Sequence, residues 1–234
     1  MEDWSNERMG DEGRETSSMS DGTASALDAQ TAALVRVAAA VARGNPPELK
    51  ARLAAARDAR VPGLWIEELL LQSMLVVGYP LALVAFGAWR AVGGPAPVEG
   101  EGDGAEDLAH ADWESWTARG AAVCRAVYGR AYHKLLVNLR ALHPALEDLV
   151  VVDAYGKVIG RPGLDLKRRE LCTVATTAVL GTAEQLHSHL RGALNTGASG
   201  AEIDAVLGVI DGDLDSEKRE TAREQWEDVR KRKL

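Results

Sequence analysis

The 234-residue sequence predicts an all-α protein built from two tandem helical units. Three observations support this fold class. Apolar residues make up 46% of the chain and aromatic residues only 5%, and the residues that favour helices, alanine above all, are abundant. Apolar residues recur at three- and four-residue spacing, which places them on one face of a helix. The apolar pattern of the first half also recurs in the second half, where Leu171 takes the place of Leu34.

The first half of the chain predicts an acidic tail followed by four helices. Residues 1–25 are polar and acidic and predict a disordered tail. An alanine-rich helix follows and ends at a Gly-Asn-Pro-Pro sequence, because glycine and proline stop helices. A Pro-Gly pair breaks the second helix, and a Gly-Tyr-Pro turn joins the third to the fourth. The four helices are predicted over 26–43, over 48–60, from Leu64 to the turn at 78–80, and from that turn to about residue 93.

The second half predicts a linker and then further helices. Residues 95–112 are rich in glycine, proline and acidic residues and predict an exposed linker. Helices resume near Asp112 and extend, with a break at 143–144, to about Val152. Residues 153–163 hold three glycines and one proline and predict a loop. Four helices are predicted after this loop, over 166–180, 183–196, 201–210 and 216–233.

The repeat divides the chain into two units. When Leu34 is placed on Leu171, three helices and the residues that end them align without gaps, so we infer a duplication. The first unit has an apolar fourth helix that the second lacks, and we therefore expect the units to complement each other. The predicted organisation is a tail over 1–25, a first unit over 26–94, a linker over 95–112, a second unit over 113–210 and a charged helix within 211–234.

The net charge of −8 comes from the tail and the linker. Residues 1–22 contain seven acidic and two basic residues, and residues 99–114 contain seven acidic residues and no lysine or arginine. The helical stretches 23–98 and 115–210 carry +2 and +3. An acidic small-molecule substrate is therefore compatible with the charge, whereas no feature favours a nucleic-acid partner.

The sequence predicts a cytoplasmic protein without a membrane partner. Cys124 and Cys172 are too few for a disulfide framework and indicate a reducing compartment. The N-terminus lacks the apolar stretch of a signal peptide. Residues 69–89 carry no charge, but the sequence Gly78-Tyr79-Pro80 interrupts them. We therefore predict two buried helices rather than a membrane span.

The two copies differ where chemistry is expected. Glu170 aligns with Ala33, and His189 aligns with Arg52, so the second unit holds an acid and an imidazole that the first lacks. Each has a structural alternative. Glu170 would then be a solvated carboxylate paired with Lys167 or an arginine, and His189 would be a packed, hydrogen-bonded side chain.

Other candidate residues surround this pair in the sequence. Arg161, Arg168 and Arg169 concentrate positive charge that either holds an anionic substrate or forms surface salt bridges. His187 and His189 flank an apolar stripe from opposite sides, and periodicity does not choose between them. No metal site is predicted, because residues two apart point to different sides of a helix and no third ligand has suitable spacing.

Two segments carry a resemblance to a known family. Residues 161–171 read Arg-Pro-Gly-Leu-Asp-Leu-Lys-Arg-Arg-Glu-Leu, and residues 183–203 read Ala-Glu-Gln-Leu-His-Ser-His-Leu-Arg-Gly-Ala-Leu-Asn-Thr-Gly-Ala-Ser-Gly-Ala-Glu-Ile. Both closely resemble the carboxymuconolactone decarboxylase family, which includes alkylhydroperoxidase D-like members. Residues 64–90 resemble the helix pair normally found after the Ala-Glu-Ile segment. The resemblance therefore covers about 30–93 and 115–210 in duplicated or permuted order, closest to the decarboxylase branch.

The resemblance implies an all-helical, usually oligomeric protein with one of two chemistries. One is cofactor-free decarboxylation of a lactone in the catabolism of aromatic compounds, and the other is a thiol peroxidase activity. Peroxidase members carry Glu, Cys-x-x-Cys and His, and Glu170 and His189 match the spacing of the Glu and the His in that motif. The cysteine positions fall on Thr182 and Gln185, so the dithiol is absent.

The expected function is a carboxymuconolactone decarboxylase-like activity without cofactor or metal. Glu170 and His189 would form the acid–base pair, and Arg161 and Arg168 would bind a small carboxylated substrate. We also expect a homo-oligomer. One alternative is an alkylhydroperoxidase-like antioxidant protein of peroxiredoxin type, which the absent dithiol disfavours. Another is a non-catalytic oligomeric family member.

Overall fold

The computed structural model describes residues 26–95 and 112–232, and these residues form helices and no strands. The predicted tail over 1–25 and nearly all of the predicted linker lie outside the described residues. A π-helix, Leu149–Ile159, follows the short helix α6. The α-helices are α1 (Ala29–Arg43), α2 (Pro46–Asp58), α3 (Gly63–Ala91), α4 (Trp113–Tyr128), α5 (Tyr132–Leu142), α6 (Leu146–Asp148), α7 (Leu166–Leu180), α8 (Ala183–Asn195), α9 (Gly200–Val209) and α10 (Ser216–Lys231).

Helices α1 and α7 are equivalent in the repeat, and they begin and end in the same way. The carboxylates of Asp28 and Asp165 cap them by accepting hydrogen bonds from backbone N–H groups in the first turn. Both helices end at a glycine in the left-handed conformation, Gly44 with φ 66° and Gly181 with φ 75°, where a side chain would be strained. The fold is therefore all-α with two tandem helical units, as predicted.

The two units share one hydrophobic core. Helix α1 packs directly against α7, while α2 and α3 pack on α1, and α8 and α10 pack on α7. Leu34 and its repeat partner Leu171 are both completely buried, as are Val37 and Val174. Because this core contains residues of both units, each unit buries apolar side chains of the other.

Helix α3 bends at Gly78, whose φ of 75° and ψ of 167° lie outside the helical range. The predicted turn therefore falls where expected, two residues before Pro80. The half before the bend buries Ile66 and Leu69, whereas the half after it leaves Tyr79 and Leu83 two-thirds exposed. By length and composition α3 is apolar enough to cross a membrane, with a mean hydropathy of 2.0 over a window that is 33% buried.

The loop predicted over 153–163 is wrong for its first part, because residues up to Ile159 continue as the π-helix. Gly156 serves a close helix contact instead of a turn. A Cβ at Gly156 would lie 2.4 Å from the carbonyl oxygen of Trp116, and one at Gly120 would lie 1.9 Å from that of Val151. These glycines let the π-helix lie against α4.

We expect the two halves to fail as separate proteins. Residues 1–98 and 105–234, expressed apart, would each expose the core face of α1 or α7, because these faces bury each other in the full chain. Size-exclusion chromatography should show aggregates for each half alone and a soluble complex on co-expression. Two soluble, monomeric halves would contradict a shared core.

Candidate active site

A cavity of about 280 Å³ lies where α3, α7, α8, the end of α4 and the π-helix meet. The first unit contributes Gln72, Leu75 and Val76 from α3. The second unit contributes Glu170 from α7 and His189 from α8. The cavity is therefore composite, because neither unit alone supplies its whole lining.

Glu170 and His189 are in direct contact within this cavity. The Oε2 atom of Glu170 lies 2.9 Å from Nδ1 of His189. Glu170 is 2% exposed, whereas the side chain of His189 is 15% exposed. A carboxylate that accepts the Nδ1 proton fixes the tautomer and leaves Nε2 to act on a ligand. Among the described residues no hydrogen-bond partner occupies Nε2.

The structure distinguishes the two histidines that periodicity left equivalent. Nε2 of His187 lies 3.1 Å from Oδ2 of Asp228 on α10, at the surface. His189, two residues later, faces the cavity and pairs with Glu170.

Gly192 makes room for the Glu170 carboxylate. It lies one turn after His189 on α8, and a Cβ there would approach Oε2 of Glu170 to 2.4 Å and Cγ1 of Val127 to 2.9 Å. Contacts below 3.0 Å force a displacement. The position of the acid therefore depends on the absence of a side chain at this point.

We expect Gly192→Ala to reduce activity by displacing Glu170 from His189. Gly208→Ala is the matched control, because Gly208 is also helical and a Cβ there meets nothing within 4 Å. The control should raise the free energy of unfolding by up to ~1 kcal/mol, which is the helix preference of alanine over glycine. Denaturant unfolding and turnover would be measured on both variants, and equal activity in the two would argue against this role for Gly192.

Arg168 lies at the junction of the two helix caps. Its guanidinium donates to Asp165 at 2.6 Å, to Asp28 at 3.1 Å and to the hydroxyl of Thr31 at 2.8 Å, and it stacks 4.3 Å from the ring of Trp65. Burial raises the pKa of Asp28, but the bonds from Thr31 and Arg168 outweigh it and hold the pKa below its usual value. Arg168 thus joins the units and lies outside the cavity lining.

Arg161 and Arg169 both form ion pairs with the carboxylate of Glu68. Nε of Arg161 lies 3.0 Å from Oε1 of Glu68, and Nη2 of Arg169 lies 2.8 Å from Oε2 of Glu68. Arg169 is completely buried and also donates to Oε1 of Gln72 at 3.2 Å. Arg161 is not among the residues that line the cavity, so neither predicted anchor, Arg161 or Arg168, contributes to its wall.

Three polar lining residues were not identified from the sequence: Gln72, Tyr128 and Tyr155. Burial raises the pKa of Tyr128 to about 12 and that of Tyr155 well above its ordinary value, so both remain neutral phenols at neutral pH. Tyr128 and Tyr155 lie in parts of the chain for which the repeat aligned no residues. Their sequence positions therefore carried no signal.

Both cysteines are buried and outside the cavity lining. Burial raises the pKa of Cys124 and that of Cys172 to about 12 each, so both are thiols rather than thiolates at neutral pH. The lining includes Thr182 and Gln185, the positions at which the resemblance places a dithiol. No group of three or more metal-ligating side chains occurs within 26–95 and 112–232.

The counterpart of the cavity in the first unit carries an ionic cluster of Arg43, Glu48, Arg52 and Asp213. Arg52, the repeat partner of His189, donates to both carboxylate oxygens of Asp213 at 2.8 and 2.6 Å and to Glu48 at 2.6 Å. Arg43 donates to Glu48 at 3.1 Å. Asp213 is the repeat partner of Val76, and Val76 lines the cavity that contains Glu170 and His189. Arg52 is therefore engaged in ion pairs where the second unit has His189, and Ala33 provides no acid there.

Comparisons with known proteins agree with the duplication. The model of the carboxymuconolactone decarboxylase family matches residues 14–91 and again residues 150–228. The chain is also 30% identical over 90 residues to a 4-carboxymuconolactone decarboxylase of Acinetobacter baylyi, covering 38% of this chain and 67% of that protein. The second match extends through most of α10, whereas α4 and α5 lie between the two matches.

Proposed function

Because the chain belongs to the carboxymuconolactone decarboxylase family, we propose that its cavity performs cofactor-free decarboxylation, or closely related acid–base chemistry, on a small carboxylated lactone. The observation that carries this proposal is the 2.9 Å contact between Glu170 and His189 inside a cavity of about 280 Å³. A paired carboxylate and imidazole are suited to moving a proton. A cavity of this size suits a small molecule.

Proton transfer follows from the geometry of this pair. As carbon dioxide leaves, the electron pair of the broken C–C bond passes into the lactone and forms an enolate. His189, in its protonated form, delivers the Nε2 proton to the enolate carbon, and solvent then restores the proton. Glu170 holds the ring in place through Nδ1 and stabilises the imidazolium form before transfer.

The lining suits the departure of a carboxylate. Among its residues within the described part of the chain there is no arginine or lysine, and most of its surface is apolar. A substrate carboxylate there loses water without pairing with a guanidinium or an ammonium group, whereas the enolate spreads its charge over the lactone. The apolar environment therefore favours the delocalised charge of the enolate over the localised charge of the carboxylate.

Turnover of candidate lactone acids, followed by mass spectrometry for loss of carbon dioxide, tests this proposal. We expect carbon dioxide release from at least one small lactone acid in the absence of metals and cofactors. A peroxide-reduction assay on the protein and on a Cys124→Ser/Cys172→Ser variant separates the thiol-dependent alternative. Peroxide reduction that requires the cysteines, without lactone turnover, would contradict the proposal.

A further inference from the structure

The enolate oxygen of the proposed reaction needs a hydrogen-bond donor, and the threonines of the lining do not provide one. The hydroxyl of Thr173 donates to the carbonyl oxygen of Arg169 at 2.9 Å. Thr177 donates to the carbonyl oxygen of Thr173 at 2.8 Å, and Thr182 to that of Thr177 at 3.3 Å. Each hydroxyl proton is therefore used within its own segment.

The amides of the lining are equally unsuited. Nε2 of Gln72 donates to the carbonyl oxygen of Arg169 at 3.1 Å and to the hydroxyl of Thr173 at 3.4 Å, which uses both N–H groups. Gln185 also lines the cavity, but it is exposed to solvent, where a hydrogen bond to a ligand competes with water. Apart from His189 and Gln185, the remaining side-chain donors among the described lining residues are the phenols of Tyr128 and Tyr155.

The rings of Tyr128 and Tyr155 are in contact, and at least one of the two phenol protons is available to a ligand. Their ring centroids lie 6.1 Å apart in an edge-to-face arrangement. A hydrogen bond between the two phenols would use only one of their two hydroxyl protons. Tyr128 lines the same cavity as Glu170 and His189, and the negative charge of Glu170 adds to burial in raising its pKa.

Tyr128 is held firmly at the end of α4. The next residue, Gly129, turns the chain with φ 53°. Nδ2 of Asn195 on α8 donates to the carbonyl oxygen of Val127 at 2.7 Å, which fixes this end of α4 to the helix that carries His189. Helix α4 lies between the two ranges that the family model matches.

We propose that Tyr128 donates a hydrogen bond to the lactone carbonyl oxygen, which gains negative charge as carbon dioxide leaves, and that Tyr155 positions Tyr128. This inference rests on the proposed function and deepens it. A neutral phenol stabilises an oxyanion in a cavity whose described lining residues include no lysine or arginine. It does so without binding the substrate carboxylate as strongly as a cation would.

Tyr128→Phe tests the proposal in turnover. We expect kcat to fall by about 100-fold with little change in KM, because a donor that acts on developing charge contributes mainly to the transition state. Tyr155→Phe should give a smaller loss of kcat. Tyr132→Phe is the matched control, because Tyr132 is buried in the same hydrophobic cluster as Tyr155 but does not line the cavity. An unchanged kcat in Tyr128→Phe would overturn the proposal.

Ligand binding measured by calorimetry tests the role of Tyr128 independently of turnover. The probes are tetronic acid, whose anion resembles the lactone enolate, and butenolide, the neutral unsaturated lactone. Tyr128→Phe should weaken tetronate binding by about 10-fold to 100-fold and butenolide binding much less.

The binding outcomes separate this inference from the proposed function. If no lactone acid is turned over but tetronate binding depends on Tyr128, the proposed function fails and the donor assignment stands. Equal losses for both probes, or failure of both to bind the unmodified protein, would overturn the assignment. Should Tyr128→Phe not fold, Tyr155→Phe provides the same comparison, and an unchanged preference for tetronate there would count against it.

Discussion

Replacing His189 with alanine is expected to reduce turnover by ~100-fold to 10,000-fold, the usual contribution of a positioned acid–base group. The variant removes the imidazole whose Nδ1 lies 2.9 Å from Glu170 and whose Nε2 has no partner among the described residues. Its effect should lie mainly in kcat, since the imidazole acts during proton transfer. Steady-state kinetics on the lactone acid identified by the screen would measure it.

His187→Ala is the control for this prediction. The same residue type is removed from the same helix, but His187 pairs with Asp228 at the surface and is not part of the cavity lining. We expect its kcat and KM to match those of the unmodified protein. Unchanged turnover in His189→Ala, or equal losses in both variants, would refute the assignment of His189.

Glu68→Ala is expected to lower the free energy of unfolding by ~3–5 kcal/mol, because it leaves a buried guanidinium without its counter-charge. Arg169 is completely buried, the side chain of Glu68 is 4% exposed, and their closest atoms are 2.8 Å apart. Burial lowers the pKa of Arg169, consistent with the cost of its charge in that position. Urea unfolding followed by circular dichroism would measure the loss.

Two further variants isolate the buried pair. Asp58→Ala removes the 69% exposed partner of Arg57, and we expect a change of at most ~1 kcal/mol. The double variant Glu68→Ala/Arg169→Met removes both buried charges, so it should recover part of the stability that Glu68→Ala loses. If Glu68→Ala lowers the free energy of unfolding as little as Asp58→Ala does, other groups must stabilise the buried charge of Arg169.

Local sequence signals located most of the helices and their ends. Aspartate caps and left-handed glycines act within a few residues of one another, so Asp165 and Gly181 are readable without the fold. The π-helix was missed for the opposite reason. Gly156 resembles a loop residue until α4 is seen to approach its backbone.

The site was predictable only in part. The spacing of Glu170 and His189, together with the family resemblance, singled out this pair before their contact was seen. The expected binding role of Arg161 and Arg168 rested on charge alone. Charge in a sequence does not identify the partner, and Glu68 and Asp28 from the first unit neutralise these arginines.

The sequence by itself determined the helical class, the duplication and the difference between Glu170 and Ala33, because periodicity, caps and repeat alignment are properties of neighbouring or equivalent positions. Tertiary structure decided which groups share the cavity. Gln72 comes from the first unit and Tyr128 from the first helix of the second unit, and they meet Glu170 only because α3 and α4 pack around α7 and α8. Tertiary structure also decided that the counterpart position carries ion pairs, because Arg52 and Asp213 are 161 residues apart and meet only in the folded protein.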